Sequence, residues 1–137
     1  DKKGELVKAH PDFHLVISYN PGYQSLMKDL KQSTKQRFGA LDFDYPESEV
    51  EAEIVTRESG VDVEIAGKLV EVALRSRNLK GHGLDEGMST RLLVYAGQLI
   101  SKGIEPIAAC RLALVRPLTD DPDMRDTLDA AVHTFFD

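Results

Sequence analysis

A polar side chain stands at the end of an apolar run near the start of the chain. Residues 15–17 are Leu-Val-Ile, a pattern typical of a strand that is buried on both faces of a parallel sheet. The run ends at Asn20, and Pro21 and Gly22 then turn the chain. Ligands of open α/β sheets bind beyond the carboxyl ends of the strands, so Asn20 can reach a ligand or an attacking water. A simple turn residue is the alternative interpretation of Asn20.

Two arginines occupy positions that suit the binding of an anion. Arg37 lies just before a second predicted strand, and Arg91 lies in the first turn of a predicted helix. A cation is disfavoured in that turn, because the positive end of the helix dipole lies there. Arg91 therefore needs an anion from elsewhere. A surface ion pair is the alternative interpretation of both arginines.

The sequence contains no phosphate-binding loop. Gly60 and Gly67-Lys68 give a similar pattern, but six residues separate the glycines where such a loop has four. Leu69 also stands where the loop needs a Ser or Thr hydroxyl for Mg²⁺. Taken alone, the chain lacks the parts that bind nucleotide phosphates.

The residues that could bind a metal ion do not have the required spacing. The four histidines are scattered along the chain, at His10, His14, His82 and His133. Three acidic residues at 120, 121 and 123 resemble a hard-cation cluster, but helix capping explains them better. We predict no metal site from these residues.

Two strands are predicted, and they must position Asn20 and Arg37. They cover residues 14–19 and residues 40–45, where apolar residues alternate at 41, 43 and 45. Two strands do not make a stable α/β sheet. We therefore expect the chain to be the C-terminal piece of a larger protein, or its sheet to be completed by another chain.

Five amphipathic helices are predicted after residue 45. Pro46 suits the first turn of the first, which has Val50 and Ile54 on one face and ends before Gly60. The second starts at the cap Asp62 and ends near Gly81. The remaining three begin at the cap Ser89, at Pro106 and at the pair Asp121-Pro122.

The composition excludes several classes of function. The 137 residues contain 23 Asp and Glu against 17 Lys and Arg, so a nucleic-acid partner is not expected. No apolar stretch is long enough for a membrane span, and no signal-peptide pattern is present. The single cysteine, Cys110, lies among apolar residues, which predicts a small buried side chain in a reducing, cytoplasmic compartment.

The order of these features resembles the C-terminal half of a MoxR-class AAA+ ATPase. The matching features are the strand before Asn20, the Gln-Arg-Phe at 36–38 and the Ser-Thr-Arg at 89–91. Two longer phrases, residues 16–25 and 118–123, are similar to the CbbQ/NirQ/NorQ group of that class. The resemblance implies an α+β fold that is mostly α. Two strands remaining from the parallel AAA+ sheet would occupy residues 1–45, and a five-helix lid domain would occupy residues 46–137.

The resemblance also implies a role for each candidate residue. Asn20 would match sensor 1, and Arg37 would match the arginine finger offered to the neighbouring subunit's nucleotide, so both would act in catalysis. Arg91 would match sensor 2 on the lid, a nucleotide-binding position. ATP and Mg²⁺ would be held mainly by upstream motifs that this sequence does not contain.

The partners that the resemblance implies are a ring of identical subunits, a hexamer as in the family, and a protein with a von Willebrand A-type domain of the CbbO/NorD kind. The client would be inhibited Rubisco in the CbbQ branch, or nitric oxide or nitrite reductase in the NirQ/NorQ branch. The sequence does not choose between them. A non-enzymatic helical module that binds a partner protein is the alternative. It agrees with the missing phosphate loop but leaves Asn20, Arg37 and Arg91 as coincidences.

Overall fold

The computed structural model describes residue 4, residues 7–18 and residues 32–137, and helices dominate these ranges. The helices of the described residues are, in chain order, α1 (Gln32–Lys35), α2 (Ser48–Ser59), α3 (Val63–Arg77), α4 (Thr90–Ser101), α5 (Pro106–Cys110), a π-helical turn (Arg111–Val115), α6 (Arg116–Leu118) and α7 (Pro122–Phe136). The mostly α class is confirmed. The five predicted helices are α2, α3, α4, the run from α5 to α6, and α7.

The chain divides into two units, Asp1–Asp42 and Phe43–Asp137. The second unit contains α2 to α7, and its first residues form an extended segment that leads into α2. None of the helices in the described ranges has the length and apolar character that crossing a bilayer requires.

Within the part of the chain that the structure describes, the two predicted strands are not paired into a sheet. Residues 13–18 and 39–47 have no regular structure, and among the described residues the single β pairing is an isolated bridge between Lys80 and Leu84. The alternating apolar residues that predicted the second strand are strongly exposed at Leu41 and Phe43. An apolar pattern favours a strand, but a strand forms only where a neighbouring backbone supplies its hydrogen bonds.

The helix boundaries follow the predicted signals closely. Asp62 Oδ1 accepts a hydrogen bond from Ile65 N, and Asp121 Oδ1 accepts one from Met124 N, both at 2.8 Å. These two predicted caps are confirmed. Ser89 occupies the cap position of α4, but its side chain accepts no capping hydrogen bond, so that part of the prediction is wrong.

Two differences from the predicted helices have local causes. α3 ends at Arg77 rather than near Gly81, because Gly81 and Gly83 adopt positive φ angles of 78° and 108° in the following turn. The fourth helix passes through a π-helical turn immediately before α6, which contains Pro117. Pro117 has no amide hydrogen to donate, which interrupts the regular hydrogen-bond ladder there.

The core lies where α2, α3 and α4 pack together, with α7 against α3 and the π turn against α4. Its members are aliphatic side chains with few aromatic contacts, as predicted, and they include Val55, Leu69, Leu93, Leu114 and Leu128. One residue of the predicted apolar face of α2 does not pack into the core. Val50 is 52% exposed, whereas its neighbour Glu51 is fully buried. The partners of Glu51 explain this exchange.

Candidate functional site

The structure describes two of the three predicted site residues, Arg37 and Arg91. Asn20 lies outside the described residues. Arg37 lies in the turn after α1, where its backbone N donates to Thr34 O at 3.0 Å and its side chain is exposed. Arg91 is the second residue of α4, and its side chain is also exposed. Arg37 belongs to the first unit and Arg91 to the second.

Arg91 is the predicted site residue with the better defined surroundings. Within the described ranges neither Arg91 nor Arg37 forms an ion pair with an acidic side chain. The first turn of α4 contains no acidic residue either. A guanidinium at the positive end of a helix that pairs with no carboxylate of the described residues is available for an external anion.

A buried carboxylate lies directly beside this helix start. Glu51 of α2 is fully buried, and Thr90, the first residue of α4, donates from Oγ1 to its Oε1 at 2.6 Å. Arg77, the last residue of α3, donates from Nη2 to the same oxygen and from Nη1 to Oε2, each at 2.7 Å. A two-pronged ion pair of this geometry is strong and directional. It joins the start of α4 to both α2 and α3.

The same arginine also holds the segment before α4. Arg77 Nε donates to Met88 O at 3.0 Å, so all three of its nitrogens have acceptors. The ring of Tyr45 covers the guanidinium, with its centroid 3.7 Å from Cζ. Tyr45 Oη donates to Gly87 O at the long distance of 3.5 Å. A planar guanidinium can bind a carboxylate and stack on a ring at once, which an ammonium cannot do.

Residues 87–88 are also held against α3 by a backbone hydrogen bond and by close packing. Met88 N donates to Ser76 Oγ at 3.0 Å, and Ser76 in turn donates to Ala73 O at 2.8 Å. A Cβ added at Gly87 would lie 2.6 Å from Cγ and 2.8 Å from Cα of Arg77. Gly87 is therefore required for the segment to approach α3 this closely.

We call Glu51, Arg77, Thr90 and Tyr45 the lid network. Sequence reasoning did not find it, although it named Thr90 within a motif and Tyr45 within a strand. One signal was present, because Glu51, Val55 and Ser59 recur every four residues and form the buried stripe of α2. A carboxylate in such a stripe indicates a buried partner, but the sequence does not say which cation supplies it.

The described residues offer little to a metal ion. No group of three or more His, Cys, Asp or Glu side chains within them could hold one. Asp120, from the predicted acidic cluster, pairs with Arg125 at 2.7 Å, while Asp121 caps α7. A polar cavity of about 280 Å³ lies between residues 83–85 and 116–120, and none of the predicted site residues lines it.

Comparison with known proteins identifies the family. A family model described as CbbQ/NirQ/NorQ C-terminal matches residues 51–135, which include most of the lid network. The chain is 73% identical over 136 residues to protein CbbQ of Hydrogenophilus thermoluteolus, covering 99% of this chain and 51% of that protein.

Two further relatives are more distant. The denitrification regulatory protein NirQ of Pseudomonas aeruginosa is 52% identical over 122 residues, which cover 89% of this chain and 47% of NirQ. Protein NorQ of Paracoccus denitrificans is 50% identical over 125 residues, which cover 91% of this chain and 46% of NorQ. The chain spans about half the length of the curated relatives that it matches. The resemblance seen in the sequence is thus confirmed, and the chain belongs to the CbbQ/NirQ/NorQ C-terminal family.

Proposed function

We propose that this chain is the C-terminal part of a MoxR-class AAA+ ATPase, which hydrolyses ATP in a ring and remodels a client metalloenzyme. Its similarity to CbbQ, NirQ and NorQ along nearly its whole length supports the class of protein. The observation that carries the proposal is Arg91. This exposed guanidinium has no acidic partner among the described residues, and it stands at a helix start that buried ionic contacts hold in place.

In this proposal each candidate residue contributes one electrostatic task. Asn20 orients the attacking water, Arg37 is offered to the nucleotide of the neighbouring subunit, and Arg91 contacts the nucleotide from the lid of its own subunit. Charge neutralisation and positioning are the main sources of catalysis in phosphoryl transfer, so an Asn and two arginines suit the task. The exposure of Arg37 and Arg91 is compatible with these roles.

The described residues fit an anionic nucleotide better than they fit its metal ion. The two exposed arginines are suited to phosphate oxygens. The described residues contain no set of ligands for Mg²⁺, whose charge neutralisation would have to come from other parts of the protein. Because the sequence contains no phosphate-binding loop, we expect the 137-residue chain by itself to release no phosphate from ATP.

The partners in this proposal are further copies of the protein, a protein with a von Willebrand A-type domain, and a client metalloenzyme. The identity of 73% to CbbQ, against 52% to NirQ and 50% to NorQ, favours the CbbQ branch. We therefore propose inhibited Rubisco as the client rather than a nitric oxide or nitrite reductase.

A non-enzymatic interaction module remains the second candidate. One observation favours it, because several apolar side chains of the helices are at least half exposed, namely Val50, Val63, Tyr95 and Leu112. Such side chains can serve a partner protein whether or not ATP is hydrolysed. The two candidates differ in what they predict for Arg37.

Substitution of Arg37 separates the two candidates in the longer protein that contains this chain. If Arg37 reaches a neighbour's nucleotide, Arg37→Ala should leave ATP binding nearly unchanged and reduce turnover by about 10³–10⁵-fold. Mixing Arg37→Ala with a variant that cannot bind ATP but keeps Arg37 should restore some turnover, because an intact arginine then faces an intact nucleotide. Phosphate release and nucleotide affinity are the measurements.

The matched control is Arg57→Ala, which removes another exposed arginine, from the last turn of α2. It should change neither ATP binding nor turnover. Normal turnover of Arg37→Ala would remove the arginine-finger assignment and favour the interaction module.

A further inference from the structure

We infer that Arg77 is a positioning residue that aims Arg91 at the nucleotide by fixing where α4 begins. The inference rests on the proposed function, since it takes Arg91 as a nucleotide contact. Arg77 itself touches no nucleotide in this scheme. It contacts Met88 directly, and it contacts Thr90 through the carboxylate of Glu51. Both residues lie just before Arg91.

The start of α4 is held on both sides of Ser89, at Met88 and at Thr90, by groups from other helices. Met88 is bound at both its backbone groups, by Ser76 Oγ at N and by Arg77 Nε at O, each at 3.0 Å. Thr90 is bound through its hydroxyl to Glu51 at 2.6 Å. A side-chain cap at Ser89 would ordinarily fix a helix start, but that bond is missing here. The lid network therefore fixes this helix start in place of a capping hydrogen bond.

Fixing the start of α4 determines the direction of Arg91. Each residue of an α-helix turns about 100° around the axis, so a shift of the start by one residue would send Arg91 to another face. The buried residues Leu93, Ala96 and Gly97 set the rotation of α4 as a whole, whereas Arg91 is its second residue and its direction depends on how the first turn begins. An arginine that must meet a phosphate oxygen tolerates errors of only about an ångström.

Stability alone gives a weak reason for this arrangement. A buried ion pair loses the hydration of both charges, and apolar residues of similar volume often stabilise a core equally well. The value of a buried, two-pronged pair lies in its geometry, which one arrangement satisfies and displaced ones do not. The covering ring of Tyr45 extends this geometry to the segment that enters α2.

The test uses Arg77→Lys and Thr90→Val in the longer protein, each made with Arg91 intact and with Arg91→Ala. Lysine keeps the charge of Arg77 but lacks the planar fork that binds both oxygens of Glu51 and the carbonyl of Met88 at once. Valine removes only the hydroxyl of Thr90. The measurement is the Kd of a fluorescent ATP analogue, followed by anisotropy. Amide exchange at Met88 and Leu93 in the 137-residue chain provides a readout without nucleotide, because these amides donate to Ser76 Oγ and to Ser89 O.

We expect Arg91→Ala to weaken binding about tenfold, the effect of one lost charge-assisted hydrogen bond. Arg77→Lys and Thr90→Val should each weaken it several-fold and speed the exchange of both amides. In the Arg91→Ala background neither should weaken binding further, because the side chain they position is gone. Arg125→Lys is the matched control, since Arg125 likewise donates from Nε to a backbone carbonyl, of Thr119, and from Nη2 to a carboxylate. It should leave the Kd unchanged.

The possible failures are distinguishable. If Arg91→Ala leaves the Kd unchanged, the proposed role of Arg91 fails, and the inference fails with it. If Arg91→Ala weakens binding while Arg77→Lys and Thr90→Val weaken it equally in both backgrounds, or not at all, the inference alone is overturned. Thr90→Val decides the matter if Arg77→Lys does not fold by circular dichroism.

Discussion

Glu51 shows how a single residue can depend on the rest of a domain. Carboxylates are almost never fully buried unless they are paired, and here Arg77 and Thr90 supply three hydrogen bonds to the two oxygens. If one charge is removed, the other remains buried without its partner, which costs far more than the pair contributes when it is intact. The lid network therefore makes α2, α3 and α4 depend on one another.

Removal of this carboxylate should be among the most damaging single changes in the helical unit. We expect Glu51→Ala to lower the free energy of unfolding by about 3–5 kcal/mol, because Arg77 would stay buried and unpaired. The double substitution Glu51→Leu with Arg77→Met should recover a large part of the loss. Glu53→Ala is the control, since Glu53 forms an exposed pair with Arg57 at 3.8 Å and should cost no more than about 0.5 kcal/mol. Urea unfolding measures all three, and equal effects of Glu51→Ala and Glu53→Ala would contradict the expectation.

Cys110 should behave as a structural side chain rather than a reactive thiol. Burial and, second, the nearby charge of Glu105 raise the pKa of its thiol from 9.0 to about 12. We expect iodoacetamide at pH 8 to react about 10³-fold more slowly with the folded chain than with the unfolded chain, because the thiolate is the nucleophile. The folded state also binds this proton more tightly, so stability should fall as pH rises from 9 towards 12. The Cys110→Ala variant should lose less stability over this pH range than the parent protein does. Rapid alkylation of the native protein would contradict the interpretation.

At the scale of elements, a very close contact lies where α4 meets α2. Gly97 of α4 is buried against Ser59 of α2, and an added Cβ would clash with Oγ and lie 2.7 Å from Cβ of that serine. Ser59 cannot readily move, because its hydroxyl donates to Val55 O at 2.6 Å. Glycine thus permits a helix–helix approach that alanine would prevent.

Replacement of two helical glycines by alanine should change the stability of the protein in opposite directions. We expect Gly97→Ala to destabilise the protein by about 1–3 kcal/mol, because the overpacking against Ser59 exceeds the gain in helix propensity. Gly67 lies inside α3 with no atom within 4 Å of an added Cβ, so Gly67→Ala should stabilise by up to about 1 kcal/mol. Thermal unfolding of the two variants tests the contrast, and stabilisation by both would show that α4 can move away from α2.

At the scale of the whole chain, the helical unit begins before its first helix. Phe43 is its first residue. The ring of Tyr45, two residues later in the chain, stacks on the guanidinium of Arg77. This contact places the extended segment before α2 within the packing of the unit. A boundary at residue 46, taken from the helical pattern alone, would omit it.

We therefore expect residues 43–137 to fold alone as a helical unit that is more stable than residues 46–137. The difference should be about 0.5–2 kcal/mol, the range of a cation–π contact at partly buried sites. Tyr45→Leu in the longer fragment should reproduce most of the loss, whereas Tyr45→Phe, which keeps the ring, should not. Equal melting temperatures of the two fragments would contradict this expectation.

Local signals in the sequence were sufficient to predict the five helices and most of their ends. Asp62 and Asp121 as caps and Gly60 as a stop act over three or four residues, so their effects can be read from neighbouring positions. The same holds for the candidate arginine Arg91, whose place in the first turn of α4 follows from the predicted helix. The family resemblance was likewise carried by short phrases that the sequence displays directly.

Tertiary structure decided which side chains hold the helix start that carries that arginine. Glu51 and Arg77 are 26 residues apart, and Thr90 is 39 residues from Glu51, so no local pattern pairs them. The choice depends on how α2, α3 and α4 pack, which in turn depends on many apolar contacts at once. Strand pairing has the same character, and the apolar alternation at residues 41–45 predicted a strand that finds no pairing partner among the described residues. Sequence determined the helices and the arginine, whereas packing alone determined the buried charges that hold the arginine in place.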